Sequence, residues 1–428
     1  MYQFDWRASR AATVRPAVPP TVWYLGWTSL LTDVSSEMVN GILPLYLVGY
    51  LRLSPLQFGI IDGLYQGMSA VLRLAGGYLA DRFRRYKETA VAGYALSALC
   101  RLGLLVPGAS WTFLASVIAV DRTGKGLRTA PRDAMITLTS TKAGLATSFG
   151  VHRSMDAAGA LAGPLVAFLI LAAAPERFDI VFVVSFCIAL VGLGVLIVFV
   201  DGTSIGAGAL ADAPPRPSLP GILRSLFGQP AFVLLSLAAL VLNLATMSDA
   251  FIYLTLQQRL QFAPSVFPLL YVSTSLVFAT FAAPAGRLAD RFGTRQVFMA
   301  GYVALGVVYV SLLLPGAGTF SAMVGIAALG AYYAATDGVL MAIAGRLLPP
   351  AHCASGLAVL ATMTSLARFV SSVAVGWMWT TGDVTTTVRV FGTALIAAMV
   401  IAAFVLSRID ANALSAVKGS PDSHADHH

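Results

Sequence analysis

Apolar stretches of roughly 20 residues recur from Val22 to Ser407, separated only by short polar interruptions. Each is long enough to cross a hydrocarbon core of about 30 Å as an α-helix. This pattern constrains the chain more than any other feature, because lipid offers no partners to open backbone groups and so demands helices. The composition agrees, with 57% hydrophobic and 11% charged residues and a mean hydropathy of +0.78, where a soluble domain carries about 25% charged residues.

Breaks at Pro, Gly and charge clusters place helices near residues 22–50, 56–80, 88–107, 111–136, 143–174 and 179–200, then near 229–258, 265–286, 296–314, 320–346, 354–380 and 388–407. The expected fold is therefore all-α and integral to a membrane, with 12 transmembrane helices in two pseudo-symmetric six-helix bundles. In domain terms, residues 1–21 are an N-terminal tail, 22–200 the first bundle, 201–228 a linker, 229–407 the second bundle and 408–428 a C-terminal tail. The Gly, Ala and Pro content of the linker, including Ala213-Pro214-Pro215-Arg216-Pro217, predicts flexibility.

The N-terminal segment carries Arg7, Arg10 and Arg15 without an apolar run before the first span, so it reads as a cytoplasmic tail and not a cleaved signal. With both termini inside, sixteen Lys and Arg residues fall in cytoplasmic segments and only Arg52, Arg177, Arg259 and Arg389 on the other side, as the positive-inside rule requires. That topology, and not nucleic-acid binding, accounts for the net charge of +8. The expected location is the inner membrane. Cys100, Cys187 and Cys353 are scattered and give no disulfide or metal pattern, and His424, His427 and His428 read as part of a solvated tail. No cofactor is implied.

The loop after the second helix contains Gly77-Tyr-Leu-Ala-Asp81-Arg82, and the loop after the eighth contains Gly286-Arg-Leu-Ala-Asp290-Arg291. The copies lie 209 residues apart and occupy the same place in each set of six, which is an internal repeat. They resemble the G-x-L-A-D-R-x-G-R-K signature of the major facilitator superfamily, in its bacterial members. The resemblance implies a transporter fold with a conformational latch at Gly77, Asp81 and Arg82 and at Gly286, Asp290 and Arg291. Arg84 stands where the first copy would have glycine. Two further likenesses point to the proton-coupled antiporter and efflux branch. Arg122-Thr-Gly-Lys-Gly126 is similar to R-x-x-Q-G, whose arginine is implicated in proton coupling, with Lys125 replacing glutamine. Gly159-Ala-Leu-Ala-Gly163-Pro164 is similar to the core of the antiporter signature.

An ionisable side chain at mid-bilayer costs at least about 2.5–3.5 kcal/mol on insertion scales, so each is a functional candidate. The first helix carries Asp33 and Glu37 on one face with Asn40 nearby. Two carboxylates in low dielectric do not both ionise readily, which makes a site for a coupling proton or a cation; the alternative is a standing ion pair with an arginine of helix 4 or 5. Helix 4 has Asp121, Arg122, Lys125, Arg128, Arg132 and Asp133, with an Asp121–Lys125 pair expected from the acid-first i,i+4 order. Helix 5 adds His152, Arg153 and Asp156, either a proton relay or a structural tie. In the second half Asn243, Tyr332, Tyr333, Asp337 and Arg368 are candidates, with an Asp337–Arg368 pair across helices 10 and 11. Proton-coupling roles thus fall to Asp33, Glu37, Arg122, His152 and Asp156. Substrate-binding roles fall to Asn40, Arg128, Arg153, Asn243, Tyr332, Tyr333, Asp337 and Arg368.

The chain lacks a nucleotide loop, a His-Glu-x-x-His pair and a serine nucleophile elbow, so an enzyme is disfavoured, and short tails disfavour a receptor or scaffold. The expectation is a secondary transporter, monomeric, moving a small organic molecule by alternating access and exporting it against protons. Proton-coupled uptake of an anionic solute drawn by Arg122, Arg128 and Arg153 is the alternative.

Overall fold

A computed structural model describes residues 18–83, 85–106, 108–141, 144–201, 219–314, 318–348 and 353–418. Among them every regular element is helical. The first half holds α1 (Pro20–Asn40), α2 (Pro55–Phe83), α3 (Tyr86–Gly103), α4 (Trp111–Thr139), α5 (Leu145–Ala173) and α6 (Phe178–Phe199). A short α7 (Leu219–Phe227) precedes α8 (Pro230–Leu244), α9 (Asp249–Leu260), α10 (Phe267–Phe292), α11 (Thr294–Leu313), α12 (Thr319–Leu347), α13 (Cys353–Thr381) and α14 (Val384–Lys418). Setting the short α7 aside and counting α8 and α9 as one interrupted span gives twelve.

Eight of the spans are long and apolar enough to cross a bilayer by those criteria alone: α5, α6, the joined α8–α9, and α10 to α14. The other four, α1 to α4, hold most of the intramembrane ionic groups. Large apolar side chains stay exposed where lipid would solvate them, such as Val191 and Val198 on α6 and Ile396 and Val400 on α14.

Helix pairing repeats between halves. In the first, α1 packs on α5 and α6, and α4 on α2 and α3; in the second, α8 packs on α13 and α14, and α12 on α10 and α11. The same relation exchanges the contacts between halves, α2 with α13 and α5 with α10. Gly59, Gly63 and Gly67 repeat every fourth residue along α2, a spacing that lets backbones approach. A β-carbon on Gly59 would come within 2.5 Å of the Ser372 carbonyl oxygen, and one on Gly63 within 2.9 Å of that of Phe369. Around this seam the Leu56 amide donates to Thr380 Oγ1 (2.9 Å) and Phe58 stacks edge-on against Phe251 (5.0 Å).

These contacts cluster on the face that bears Arg52. Toward the face that bears Asp290, α5 and α10 part: Thr147, Gly150 and Ser154 on α5 and Ala279, Thr280 and Phe281 on α10 are exposed, while nearer the Arg52 face Gly41 is wedged between Pro164 and Pro268. Close backbone approaches between the halves thus gather toward the Arg52 face, and exposed α5 and α10 positions toward the other.

Four elements differ from the sequence expectation. The seventh span breaks at 245–248, and its freed backbone groups are met by neighbours. Tyr309 Oη donates to the Ala245 carbonyl (2.9 Å) and accepts from the Met247 amide (2.8 Å), and Ser371 Oγ donates to the Thr246 carbonyl (2.6 Å). Such a break is tolerated at membrane depth only where protein satisfies it. The first span likewise stops at Asn40 and resumes as a π-helical turn at Leu45–Tyr50. The expected linker contains α7, and α14 runs on to Lys418, ten residues beyond the expected start of the tail.

Candidate functional site

Helix α1 is held against α5 by the Gly159/Gly163 pair. A β-carbon at Gly159 would meet the Leu30 carbonyl at 2.5 Å, and one at Gly163 the Val34 carbonyl at 2.7 Å. The same contact sets Asp33 Cβ 3.1 Å and Glu37 Cβ 2.9 Å from those positions. Glycine at this spacing therefore fixes where the two carboxylates of α1 stand.

Asn40 Nδ2 donates to Glu37 Oε2 at 2.9 Å. Asp33 has no cation within salt-bridge distance among the described residues; its charge is felt by Lys125, Arg128 and Arg132. Lys125, half-buried, feels the charges of Arg122, Glu37, Asp33 and Arg128. The expected Asp121–Lys125 pair does not form, because Arg101 reaches Asp121 from α3 (3.1 Å) and Arg122 forks onto it (Nε 3.0 Å from Oδ2). The Arg122 guanidinium also covers the Tyr65 ring at 4.0 Å, and Arg101 donates to Ser36 Oγ at 3.1 Å. Two arginines around one carboxylate leave Lys125 to the acids of α1.

Nearer the Asp290 face a second cluster centres on Ser29 of α1. Its hydroxyl lies 3.1 Å from His152 Nε2 and 3.3 Å from Tyr94 Oη, and accepts from Arg132 Nη1 at 3.2 Å. His152, fully buried, sets Nδ1 3.5 Å from Asp156, which also faces Arg132 (3.8 Å) and Arg153 (3.6 Å); Arg132 pairs in addition with Asp133 (2.9 Å). Arg128 stacks on Tyr94 at 4.6 Å, and its Nη1 has no hydrogen-bond partner. Arg153 is 62% exposed and touches only Asp156 among these groups. From Ser29 to Glu37 the rise along α1 is about 12 Å, so Asp156, Asp33 and Glu37 form a ladder of carboxylates along one seam.

The ladder ends beside a chamber of three cavities, two lined by both halves and the widest by the second half alone. One cavity, about 70 Å³, is lined by Asn40, Asp62, Tyr65, Gln66, Asp249 and Tyr271 among others, and the next, about 170 Å³, by Asp249, Tyr253, Tyr271, Phe278, Tyr333 and Asp337. A third, narrower space holds Gln66, Met247, Tyr333, Arg368 and Ser372. The break in the seventh span positions Asp249, in the first turn of α9, against Tyr333, whose hydroxyl donates to it at 2.6 Å. Asp62 accepts from Ser372 Oγ of the opposite half at 2.6 Å.

The expected Asp337–Arg368 ion pair is absent: Arg368 gives Nε to Asn243 Oδ1 (3.0 Å) and sits 5.8 Å over the Tyr333 ring, while Asp337 faces the cavity. Tyr332 packs in the interior against Tyr302 and Tyr333 rather than lining these cavities. Of the latch residues, Gly286, Asp290 and Arg291 are exposed, Asp290 pairs with Arg346 (3.4 Å), and a β-carbon on Gly286 would meet nothing within 4 Å. The side chains of Asp81 and Arg82, and the surroundings of Gly77, lie outside the described residues.

Sequence reasoning left Asp62, Asp249, Tyr65, Gln66, Tyr271, Ser29 and Arg101 off the site. Asp62, Asp249 and Arg101 carried a signal as intramembrane charges; the tyrosines and Ser29 carried none that separates them from packing residues.

The family model described as the Major Facilitator Superfamily matches residues 25–267 and 244–424. An uncharacterized MFS-type transporter of Methanocaldococcus jannaschii is 30% identical over 365 residues, 84% of this chain and 88% of that protein. An uncharacterized protein of Mycobacterium tuberculosis is 34% identical over 163 residues, 38% of this chain and 39% of that one. Among solved structures, a peptide transporter POT in complex with alafosfalin aligns with a TM-score of 0.76 at 16% identity, covering 91% of this chain and 95% of that one. The nucleoside transporter NupG aligns with a TM-score of 0.75 at 12% identity, covering 90% and 99%. At these identities the structures share the fold.

Proposed function

The chain belongs to the major facilitator superfamily and is a multi-pass membrane transporter, and from that premise we propose that it exports a small organic solute in exchange for protons. The observation that carries the reading is the carboxylate ladder of α1 and α5, with Asp33 unpaired and Glu37 held by a neutral amide, running from the side of the Asp290 face to the chamber. A carboxylate without a fixed counter-charge gains most from a proton in low dielectric. Glu37, Asp33, Asp156 and His152 are the proton-bearing groups; Arg122 pairs with the adjacent Asp121, covers the Tyr65 ring of α2 and keeps a positive field beside Glu37.

In this assignment the Asp290 face is cytoplasmic, as the positive-inside count requires, the protein resides in the inner membrane, and the conformation is open inward. Solute enters the chamber from the cytoplasm, protons arriving from outside displace it after the halves rock, and Gly286, Asp290 and Arg291 engage only when the inner face closes. Asn40, Asn243, Tyr333, Asp337 and Arg368 line or frame the solute site. The test is transport in proteoliposomes under an imposed pH gradient. Exchange predicts solute movement opposite to proton flow; movement with the protons sinks the export reading.

A further inference from the structure

The chamber has more acid than base. Asp62, Asp249 and Asp337 all act on one half-buried cation, Arg368, yet among the described residues none forms an ion pair with it. Arg368 is committed to Asn243, Asp62 to the Ser372 hydroxyl and Asp249 to the Tyr333 hydroxyl. Neutral donors satisfy hydrogen bonding but not charge.

The wider cavity sharpens the point. Asp249 and Asp337 share its wall with the rings of Tyr253, Tyr271, Tyr333 and Phe278, and no basic side chain lines it among the described residues. Ring faces carry negative quadrupole charge and attract ammonium groups, most strongly where water is thin. An aromatic wall around carboxylates is a poor site for an anion, since nothing positive meets it and the acids repel it. The basic residues that would draw an anion stand outside this cavity: Arg122 shares Asp121 with Arg101, Arg128 stacks on Tyr94, Arg368 is committed to Asn243, and Arg153 lies 62% exposed beside Asp156.

We infer that the solute is an organic cation, an amine or quaternary ammonium compound whose charged group sits between Asp249 and Asp337 against the tyrosine wall. The inference rests on the transporter reading above and adds the substrate class to it. Asp249 is set for this role by the break in the seventh span, which starts a new helix at that residue and turns it to the cavity edge. Tyr333, bonded to Asp249, is its positioning partner and one face of the cage.

The test uses purified full-length protein in lipid nanodiscs, with benzyltrimethylammonium as the probe and phenylacetate as its anionic counterpart. Calorimetry should show the cation binding and phenylacetate not. Asp337→Asn and Asp249→Asn should each weaken the cation about tenfold, and Asp337→Glu should restore most of the loss. Asp337→Asn, on the cavity wall, should also leave thermal stability near wild type. Tyr333→Leu should weaken binding more than Tyr333→Phe, because the ring face is what the cation uses. Failure of the cation to bind, preferred binding of phenylacetate, or indifference to both Asn variants overturns the inference. A spin-label distance between Ser154 on α5 and Thr280 on α10, followed against pH in wild type and Glu37→Gln, reads proton-driven rocking without any solute. If that distance responds through Glu37 while the cation fails, the substrate class is wrong and the transporter reading stands.

Discussion

Two acidic residues of the first half, Asp121 and Glu37, sit close in the bundle yet should answer differently to loss of charge. Asp121 is buried between Arg101 and Arg122. Asp121→Asn leaves two guanidinium groups uncompensated, and breaking a buried pair this way costs about 3–5 kcal/mol. The variant should show a large drop in thermal unfolding temperature in detergent, or fail to accumulate. Glu37 accepts one hydrogen bond from Asn40 and forms no salt bridge with an arginine among the described residues. Glu37→Gln keeps the shape and removes the titratable group, so it should retain near wild-type stability while solute flux stops responding to an imposed pH gradient. Equal destabilisation by both, with pH response intact in Glu37→Gln, would falsify the division between a structural and a coupling carboxylate. Charge type alone did not reveal the division. An acid-first i,i+4 spacing favoured Asp121 with Lys125, but its partners are the adjacent Arg122 and Arg101 of α3, the latter a contact between helices that no local spacing encodes.

At the scale of elements, what the sequence made legible follows from how local the cause is. Helix number and the twofold repeat of six helices were readable because apolar length and the two Gly-x-Leu-Ala-Asp-Arg loops are local. The Gly159/Gly163 pair was readable as a motif, and its use, bringing α1 carbonyls onto α5, followed once the helices were paired. The Gly59/Gly63/Gly67 series had an equally clear spacing and was passed over. Gly63→Val puts two methyl groups where a single β-carbon already meets the Phe369 carbonyl at 2.9 Å, so it should cost at least about 1–3 kcal/mol of the closed arrangement at the Arg52 face. The break at 245–248 contains neither Pro nor Gly. Ser248-Asp249 has the form of a helix start, but only Tyr309 and Ser371 on other helices make the interruption stable. Tyr309→Phe removes both of its hydrogen bonds to the break, so about 1–3 kcal/mol of stability should be lost, measured by thermal unfolding, and cavity binding should weaken because Asp249 begins the next helix. A neutral result would mean the break is held by packing and not by these bonds.

Across the whole molecule, the contacts between halves fall to α2 with α13 and α5 with α10, and the proposed alternating access requires the halves to rock between gates at the two faces. One gate is seen shut: Gly376 on α13 would place a β-carbon 2.4 Å from the Pro55 carbonyl, and Leu56 bonds to Thr380 beside it. The other is seen open, with Gly286 facing nothing and Asp290 exposed. A large side chain at one gate should therefore transfer population to the opposite state, because the closed backbone contact has no room for it and the open gate has no contact to lose. Gly376→Trp should prop the Arg52 face apart, bring Ser154 on α5 toward Thr280 on α10, and shorten the spin-label distance between those positions. Gly286→Trp should have little effect on that distance, since it adds bulk where the present conformation is empty, but should hinder closing of the Asp290 face and so slow exchange. Combining the two should be worse than either alone, because each state then carries an obstruction. If Gly376→Trp instead lengthens or leaves unchanged the Ser154–Thr280 distance, the two gates do not move reciprocally and the rocking of rigid halves is the wrong description.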